Sequence, residues 1–425
     1  MNAQIPTKQA WARAVLVCVL ASAISAHAQQ VISMPNLSPT ISTRPSAGGY
    51  KAPPLYDINS VLSKEGPLAQ WGPIAVRPHF LYQLSYGDGL LNPGQLEPQS
   101  STIHVVTAGI LFELGKQWRL DYTLSRTLYS NPFLGDSSGQ DLNLSGGFSH
   151  GNWTFGLFFI YRSGTPILAQ TGRQTEEKTY VSGVNGSYSL GPRALLESSF
   201  TWNTRLVDDN NTVGRWTAID WHSWSASNGI NYQFSQRFTA GAGVDLSGDN
   251  LQVGPDMTST EIHLKVGWKP TNKISISAQG GREIRRIKDS NVKNLSNPVY
   301  SASIEYKPLE VTSISLTATQ SVSASYFADQ ASKQTTYGFN LSQRLLQKLF
   351  LSAGVGQGTT KYIATSPAFV AGRDDKFTSY HARLATTVLR RGSVAVFFHS
   401  SRNSSNTTDF DFSSHQYGTE IGYRF

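Results

Sequence analysis

The stretch Thr107-Ala-Gly-Ile-Leu-Phe-Glu-Leu-Gly-Lys-Gln-Trp-Arg-Leu-Asp-Tyr-Thr-Leu-Ser125 decides the fold. Before Gly115, the residues Ala108, Ile110, Phe112 and Leu114 recur at every second position. After Gln117, Trp118, Leu120, Tyr122 and Leu124 do the same, with Arg119, Asp121, Thr123 and Ser125 in the alternate places. Successive side chains of a strand point to opposite faces, so this spacing predicts two strands with one apolar and one polar face each. Gly115-Lys116-Gln117 between them has the length and the glycine of a tight hairpin.

The same device repeats in both directions. Val76, Phe80, Tyr82, Leu84 and Tyr86 share a face, as do Trp153, Phe155, Leu157, Phe159 and Tyr161, and Phe238, Ala240, Ala242, Val244 and Leu246. Short connections such as Gly151-Asn152 and Pro270-Thr271-Asn272 alternate with long polar loops such as Asp88–Ser101, Thr204–Asp220 and Thr360–Lys376. Tight turns on one side and long loops on the other are how bacterial transmembrane barrels are connected. Counting segments predicts an all-β, antiparallel up-and-down barrel of about 18 strands over residues 74–425, the first at 74–87 and the last at 415–425.

Aromatic residues fall at the two ends of these strands, on the apolar face. If the short turns are periplasmic, the outer ends carry Tyr86, Tyr161, Tyr180, Trp202, Trp224, Tyr300, Tyr337, Tyr380 and Tyr417, and the inner ends Trp118, Phe148, Trp153, Tyr188, Phe234, Trp268 and Tyr306. Aliphatic residues, alanine and glycine fill the band between. Two aromatic girdles around an aliphatic belt make a lipid-facing surface, whereas a soluble β-sandwich would gather its aromatics in mid-strand. The longest apolar run of the mature part, Leu157–Tyr161, is far too short for a membrane helix.

On the other face Arg119, Asp121, Arg162, Glu197, Arg237, Asp245, Glu261, His263, Lys265, Glu283, Glu305, Arg383, Glu420 and Arg424 point inward. Burying so many charges in a dry core is prohibitive. A wet, pore-like lumen accounts for them, and barrels of this size enclose one unless it is plugged. Acids and bases are nearly balanced, so weak ion selectivity is expected. The loop Thr360–Lys376, with Tyr362, Phe369 and Arg373, and the Pro-rich segment 29–73 are the candidates for blocking it. A blocked barrel whose outer loops bind a partner is the alternative to a channel.

Residues 1–28 read as a secretory signal: Lys8 and Arg13, an apolar run Ala14–Ala26, then the cleavable Ala26-His27-Ala28. The single cysteine, Cys18, lies inside it, so the mature chain is expected to hold no disulfide, thiol nucleophile or Cys-based metal site. No metal or cofactor is expected at all. The formal charge of +8 falls to +6 without the signal's two bases, and the bases are scattered, which argues against nucleic acid. From Gln29 to Pro73 an extended segment is expected, with a helical turn near residues 57–63.

His104, Arg126 and Asn228 interrupt the lipid-facing side, which is where outer-membrane phospholipases carry Ser, His and Asn. No serine or acid falls at a fitting depth, and no H-E-x-x-H, G-x-S-x-G or phosphate-loop pattern occurs, so no catalysis is expected. The basic run Arg282–Lys288 is a candidate for lipid-A phosphates, within lipopolysaccharide, or for acidic polysaccharide. The last strand, Tyr417 to Phe425, alternates throughout and ends with Tyr423 and Phe425, similar to the signal read by the barrel-assembly machinery.

Trp71-Gly-Pro-Ile-Ala-Val-Arg-Pro-His-Phe-Leu-Tyr-Gln-Leu-Ser-Tyr-Gly-Asp-Gly89 resembles the first strand and its exit in a β-barrel porin family of bacterial outer-membrane proteins. The resemblance covers residues 71–425. It implies a Gram-negative outer-membrane location and, because members often accompany exopolysaccharide synthesis and export, a part in passing or anchoring polysaccharide. It assigns no site residues.

Overall fold

A computed structural model of the chain describes residues 67–92, 95–115, 117–165, 167–168, 173–208, 219–288, 294–346, 348–366, 372–388, 391–407 and 410–424. The signal segment, the helical turn near 57–63, Phe369 and Phe425 lie outside these residues.

Alternation and short turns give 18 long antiparallel strands: β1 (Ile74–Asn92), β2 (Gln95–Leu114), β3 (Trp118–Tyr129), β4 (Ser137–His150), β5 (Trp153–Gly164), β6 (Glu176–Ser189), β7 (Ala194–Asp208), β8 (Trp221–Ser235), β9 (Phe238–Leu251), β10 (Met257–Thr271), β11 (Ile274–Ile287), β12 (Leu295–Leu309), β13 (Thr312–Ala324), β14 (Gln330–Leu345), β15 (Leu349–Ala364), β16 (Asp374–Val388), β17 (Gly392–Ser405) and β18 (Phe412–Arg424). Each pairs with its neighbours in sequence. β1 also pairs with β18, Tyr86 opposite Tyr417, which closes the barrel and removes its edges. Among the tight turns, Gly115 and Gly151 have φ of 60° and 57°, a conformation open to glycine at little cost. The end of the segment expected to be loose is ordered: Ala69–Trp71 turns at Gly72-Pro73 and pairs with Ile74–Val76.

The strands run past the expected boundaries at the long-loop end. β1 continues to Asn92 rather than stopping at 87, β15 reaches Ala364, and β16 begins at Asp374. β2 has 20 residues, against the ~10 that cross the hydrocarbon. Beyond the bilayer the backbone groups still need partners, and extending each ladder supplies them.

The outward face is apolar and bare, with Ile262 and Leu264 65% and 66% exposed at the centre of β10. A soluble monomer does not carry a belt of this kind around its whole girth, so the belt is the membrane-facing surface. Its two rims are aromatic. Tyr161 lies 4.9 Å from Tyr180 and Tyr86 5.6 Å from Tyr417 on one rim; Trp153 lies 4.4 Å from Tyr188 and Phe234 5.7 Å from Phe238 on the other.

One part of the wall departs from a plain cylinder. β13 pairs with β12 only as far as Gln320, opposite Tyr300, while its ladder with β14 continues to Ala324 opposite Ala331. The tip of the β13–β14 hairpin leaves the wall there and turns inward. Val322, Ala324 and Ala331 pack with Met257 and Ile287 in a buried apolar cluster, flanked by Trp221, Leu251 and Leu295.

Candidate functional site

The inward hairpin builds the site. Its tip, Ser325-Tyr-Phe-Ala-Asp329, has no charge before Asp329, and Tyr326 and Phe327 are 0% and 2% exposed. Asp329 takes φ of 61°, which its short polar side chain tolerates. The Tyr326 ring lies 3.6 Å beneath the Arg205 guanidinium of β7, which also stands 5.2 Å from the Trp221 ring. Arg205 Nη2 donates to the Ser325 carbonyl at 3.5 Å, the Tyr326 hydroxyl to Glu177 Oε2 of β6 at 3.3 Å, and the Ile219 amide to the Tyr326 carbonyl at 3.0 Å. Residues of β6 and β7, and of the segment leading into β8, therefore hold the tip. Burial raises the affinity of the Tyr326 hydroxyl for its proton, so it remains a donor to Glu177.

Two further groups fix it. At its base, Arg285 of β11 donates to the Val322 carbonyl at 2.9 Å, to Asp249 at 2.5 Å and to Glu283 at 2.7 Å, with all three side chains buried. Beside its tip, Phe327 meets Phe410 at 6.3 Å, and the Arg373 guanidinium lies 3.3 Å from the Phe410 ring and 4.5 Å from the Tyr362 ring. Asp375 binds Arg373 at 2.6 Å and accepts from the Tyr362 hydroxyl at 3.3 Å. Of the blocking candidates, Tyr362 and Arg373 are thus buried beside the hairpin tip. The hairpin itself was not anticipated from sequence, although Ser323–Ala328 is unusually free of charge for a long-loop-end turn.

The charged residues singled out in the sequence sit as follows. Asp121 lies 3.2 Å from His79, Arg119 3.6 Å from Glu113, and Arg162 2.9 Å from Asp141. Glu197 is 4.0 Å from Lys265, Glu283 2.7 Å from Arg285, Glu305 2.7 Å from Lys307, and Arg383 2.7 Å from Glu420. Asp245 and Glu261 flank His263. Arg237 is a correction: it lies exposed in the β8–β9 turn, donating to the Pro270 carbonyl at 3.1 Å, so it is no part of the wall. The turn is Gln236-Arg237, one residue later than the alternation suggested, with a register shift between Gln233 and Ser235.

The basic run is also divided. Arg282 and Arg286 are exposed on the outer face, with Arg282 donating to Ser296 at 2.8 Å, while Arg285 turns inward and is buried. Of the four bases, only Arg285 is thereby removed from the outer side. On the lipid side His104 is 2.8 Å from the Tyr82 hydroxyl, Arg126 donates to Ser138 at 2.8 Å, and Ser198 donates to Asn228. His104 and Arg126 are diagonal neighbours on the adjacent strands β2 and β3, whereas Asn228, on β8, is apart from both. Tyr423 is on the outward face near the short-turn end, opposite Phe80.

The family model described as "Putative beta-barrel porin 2" matches residues 231–425, from the end of β8 through β18. Solved structures similar to the chain include OccAB3 of Acinetobacter baumannii, at 10% identity over 82% of this chain and 99% of that one, TM-score 0.44. They also include OccK2 (OpdF) of Pseudomonas aeruginosa in complex with glucuronate, at 11% identity over 82% of this chain and 98% of that one, TM-score 0.42. Curated protein sequences gave no match.

Proposed function

We propose that this outer-membrane barrel is a constricted channel for small hydrophilic solutes. The observation that carries the reading is the hairpin tip at Tyr326, held across the lumen by Arg205 and Glu177. It narrows a passage whose wall offers hydroxyls and charges of both signs. A constriction of this kind selects by size and hydrogen bonding, and the residues expected to line the pore give it no single-sign ring.

In this reading the apolar belt meets outer-membrane lipid and lipopolysaccharide, and the last strand with Tyr423 and Phe425 is what the assembly machinery reads. The resemblance to exopolysaccharide-associated barrels makes saccharides the first solutes to test. A second reading, a structural or adhesive barrel with a closed lumen, is favoured by one observation, the complete burial of Tyr326 and Phe327.

Conductance in planar bilayers separates the two. The channel reading expects small steady openings from the intact protein with little cation–anion preference. It expects larger ones when residues 324–330 are replaced by a short glycine link. Silence in both proteins would reject the channel and leave the structural role.

A further inference from the structure

One cluster on the inner wall lies outside the hairpin and its anchors. Asp245 of β9 and Glu261 of β10 are partners in register, and His263 shares the inward face two residues further on. His263 Nδ1 lies 3.1 Å from Asp245 Oδ2 and 3.4 Å from Glu261 Oε1. The imidazole is wholly enclosed; Nδ1 meets both carboxylates at ion-pair distance but out of hydrogen-bond alignment, and Nε2 has no hydrogen-bond partner among the described residues. Nε2 is turned toward Gly243, where an added Cβ would come within 2.6 Å of it. Leaving a buried ring nitrogen without a partner is costly.

The surrounding charges sharpen the problem. Glu261 also lies in register with Glu283 on its other side, so three carboxylates form a row across β9, β10 and β11. Like charges placed opposite one another destabilise a sheet. The neighbouring bases are engaged elsewhere: Arg285 with Asp249 and Glu283, and Lys265 toward Glu197 at 4.0 Å. Among the described residues no lysine or arginine forms an ion pair with Glu261; its other contact is Gln279, at 3.4 Å.

A shared cation resolves the misalignment at Nδ1 and the row of like charges. Ligands of one metal ion aim their lone pairs at a point between them, not at each other, which is the misalignment seen at Nδ1. With bonds of about 2.0–2.2 Å, neighbouring donors stand roughly 2.9–3.5 Å apart, and the two N···O distances fall in that window. One candidate donor atom from each residue lies within 4.8 Å of the other two. A cavity of about 60 Å³, bordered by Asp245, Glu261, Ser247 and Ser259 and by Val322 and Ser323 of the hairpin, adjoins the cluster. It is large enough for waters to complete the coordination.

We propose that Asp245, Glu261 and His263 form a binding site for one divalent transition-metal ion of the zinc class, with one imidazole nitrogen and two carboxylate oxygens as donors. A neutral His263 and a dication cancel the charge of the two carboxylates, where a protonated histidine cancels only half. The site holds for an open or a closed lumen alike, and it revises the sequence expectation of no metal.

The test uses the full chain, refolded or extracted in detergent micelles and stripped with EDTA. Zn²⁺ is titrated against a chromophoric chelator, and Co²⁺ is added separately for its visible absorption. The expected result is one equivalent of Zn²⁺ on the intact protein, with affinity lowered at least about tenfold by His263→Gln and by Glu261→Gln. Equal Zn²⁺ binding by the intact protein and both variants, or no binding by the intact protein, would overturn the proposal. Heat-modifiable migration on electrophoresis reports whether each variant is folded. If neither variant assembles, the intact barrel decides: its unfolding midpoint rises with Zn²⁺ and not with Mg²⁺ if the site exists, and an unmoved midpoint refutes it.

Discussion

Arg205→Ala should release the constriction. The guanidinium of Arg205 is buried, 3.6 Å from the Tyr326 ring, and donates to the Ser325 carbonyl at 3.5 Å. A desolvated cation–π contact contributes about 2 kcal/mol. A hydrogen bond from a charged donor contributes about 1.5–3 kcal/mol, and this one is long, so about 1 kcal/mol is a fair share. Losing about 3 kcal/mol shifts the ratio of docked to released hairpin roughly a hundredfold. The anchors left behind include the Tyr326 hydroxyl on Glu177, the Ile219 amide and Phe327 against Phe410, with Arg285 still holding the base. Single-channel recording of the variant should show long openings of higher conductance interrupted by brief returns to the parental level. Arg205→Lys, which keeps the charge and loses the flat face, should lie between the two. Identical conductance and dwell times in Arg205→Ala and the intact protein would refute the idea that this contact holds the hairpin.

Three further outcomes are expected. Arg285→Met should destabilise the barrel by about 3–5 kcal/mol in urea unfolding, because it strands Asp249 and Glu283 in a buried place; adding Asp249→Asn and Glu283→Gln should recover most of the loss. Gly109→Ala should cost about 1–3 kcal/mol in the same assay, since the new Cβ would stand 2.3 Å from the His79 ring, whereas Gly280→Ala, with open space around it, should be near neutral. Phe425→Asp should lower the amount of barrel in the outer membrane several-fold on quantitative immunoblots of membrane fractions, and an unchanged level would remove the terminal residue from the assembly signal.

The barrel is legible in the sequence because its organising rule is local. Trp118 to Leu124 states the period, and the depth of Tyr161 or Trp153 along its strand states the membrane, with no contact across the molecule needed. The inward hairpin obeys a different rule. Tyr326 is buried by Arg205 and Glu177, which are more than a hundred residues away in the chain and come near only when the wall closes. What the local pattern offered was a turn lacking charge, Ser323 to Ala328, and that signal is weak alone. Arg285 misled for a related reason. Four bases in the seven residues Arg282–Lys288 look like a patch in a list, but a strand deals them to two faces, and only parity read together with the neighbours Asp249 and Glu283 sends Arg285 inward.

The parting of β12 from β13 above Gln320 has a mechanical consequence. Everywhere below it the wall is a hoop, in which a load on one strand is shared by both flanks. Above it, the rim segments at Leu295–Val299 and Ser321–Ala324 are each braced on one flank only. The rim is therefore slit at this point, and more compliant there than in the hoop below. Amide hydrogen exchange should be fastest on the two lips of that slit. Any widening of the mouth should begin there, carrying the β13–β14 tip with it like a latch mounted on the loose end.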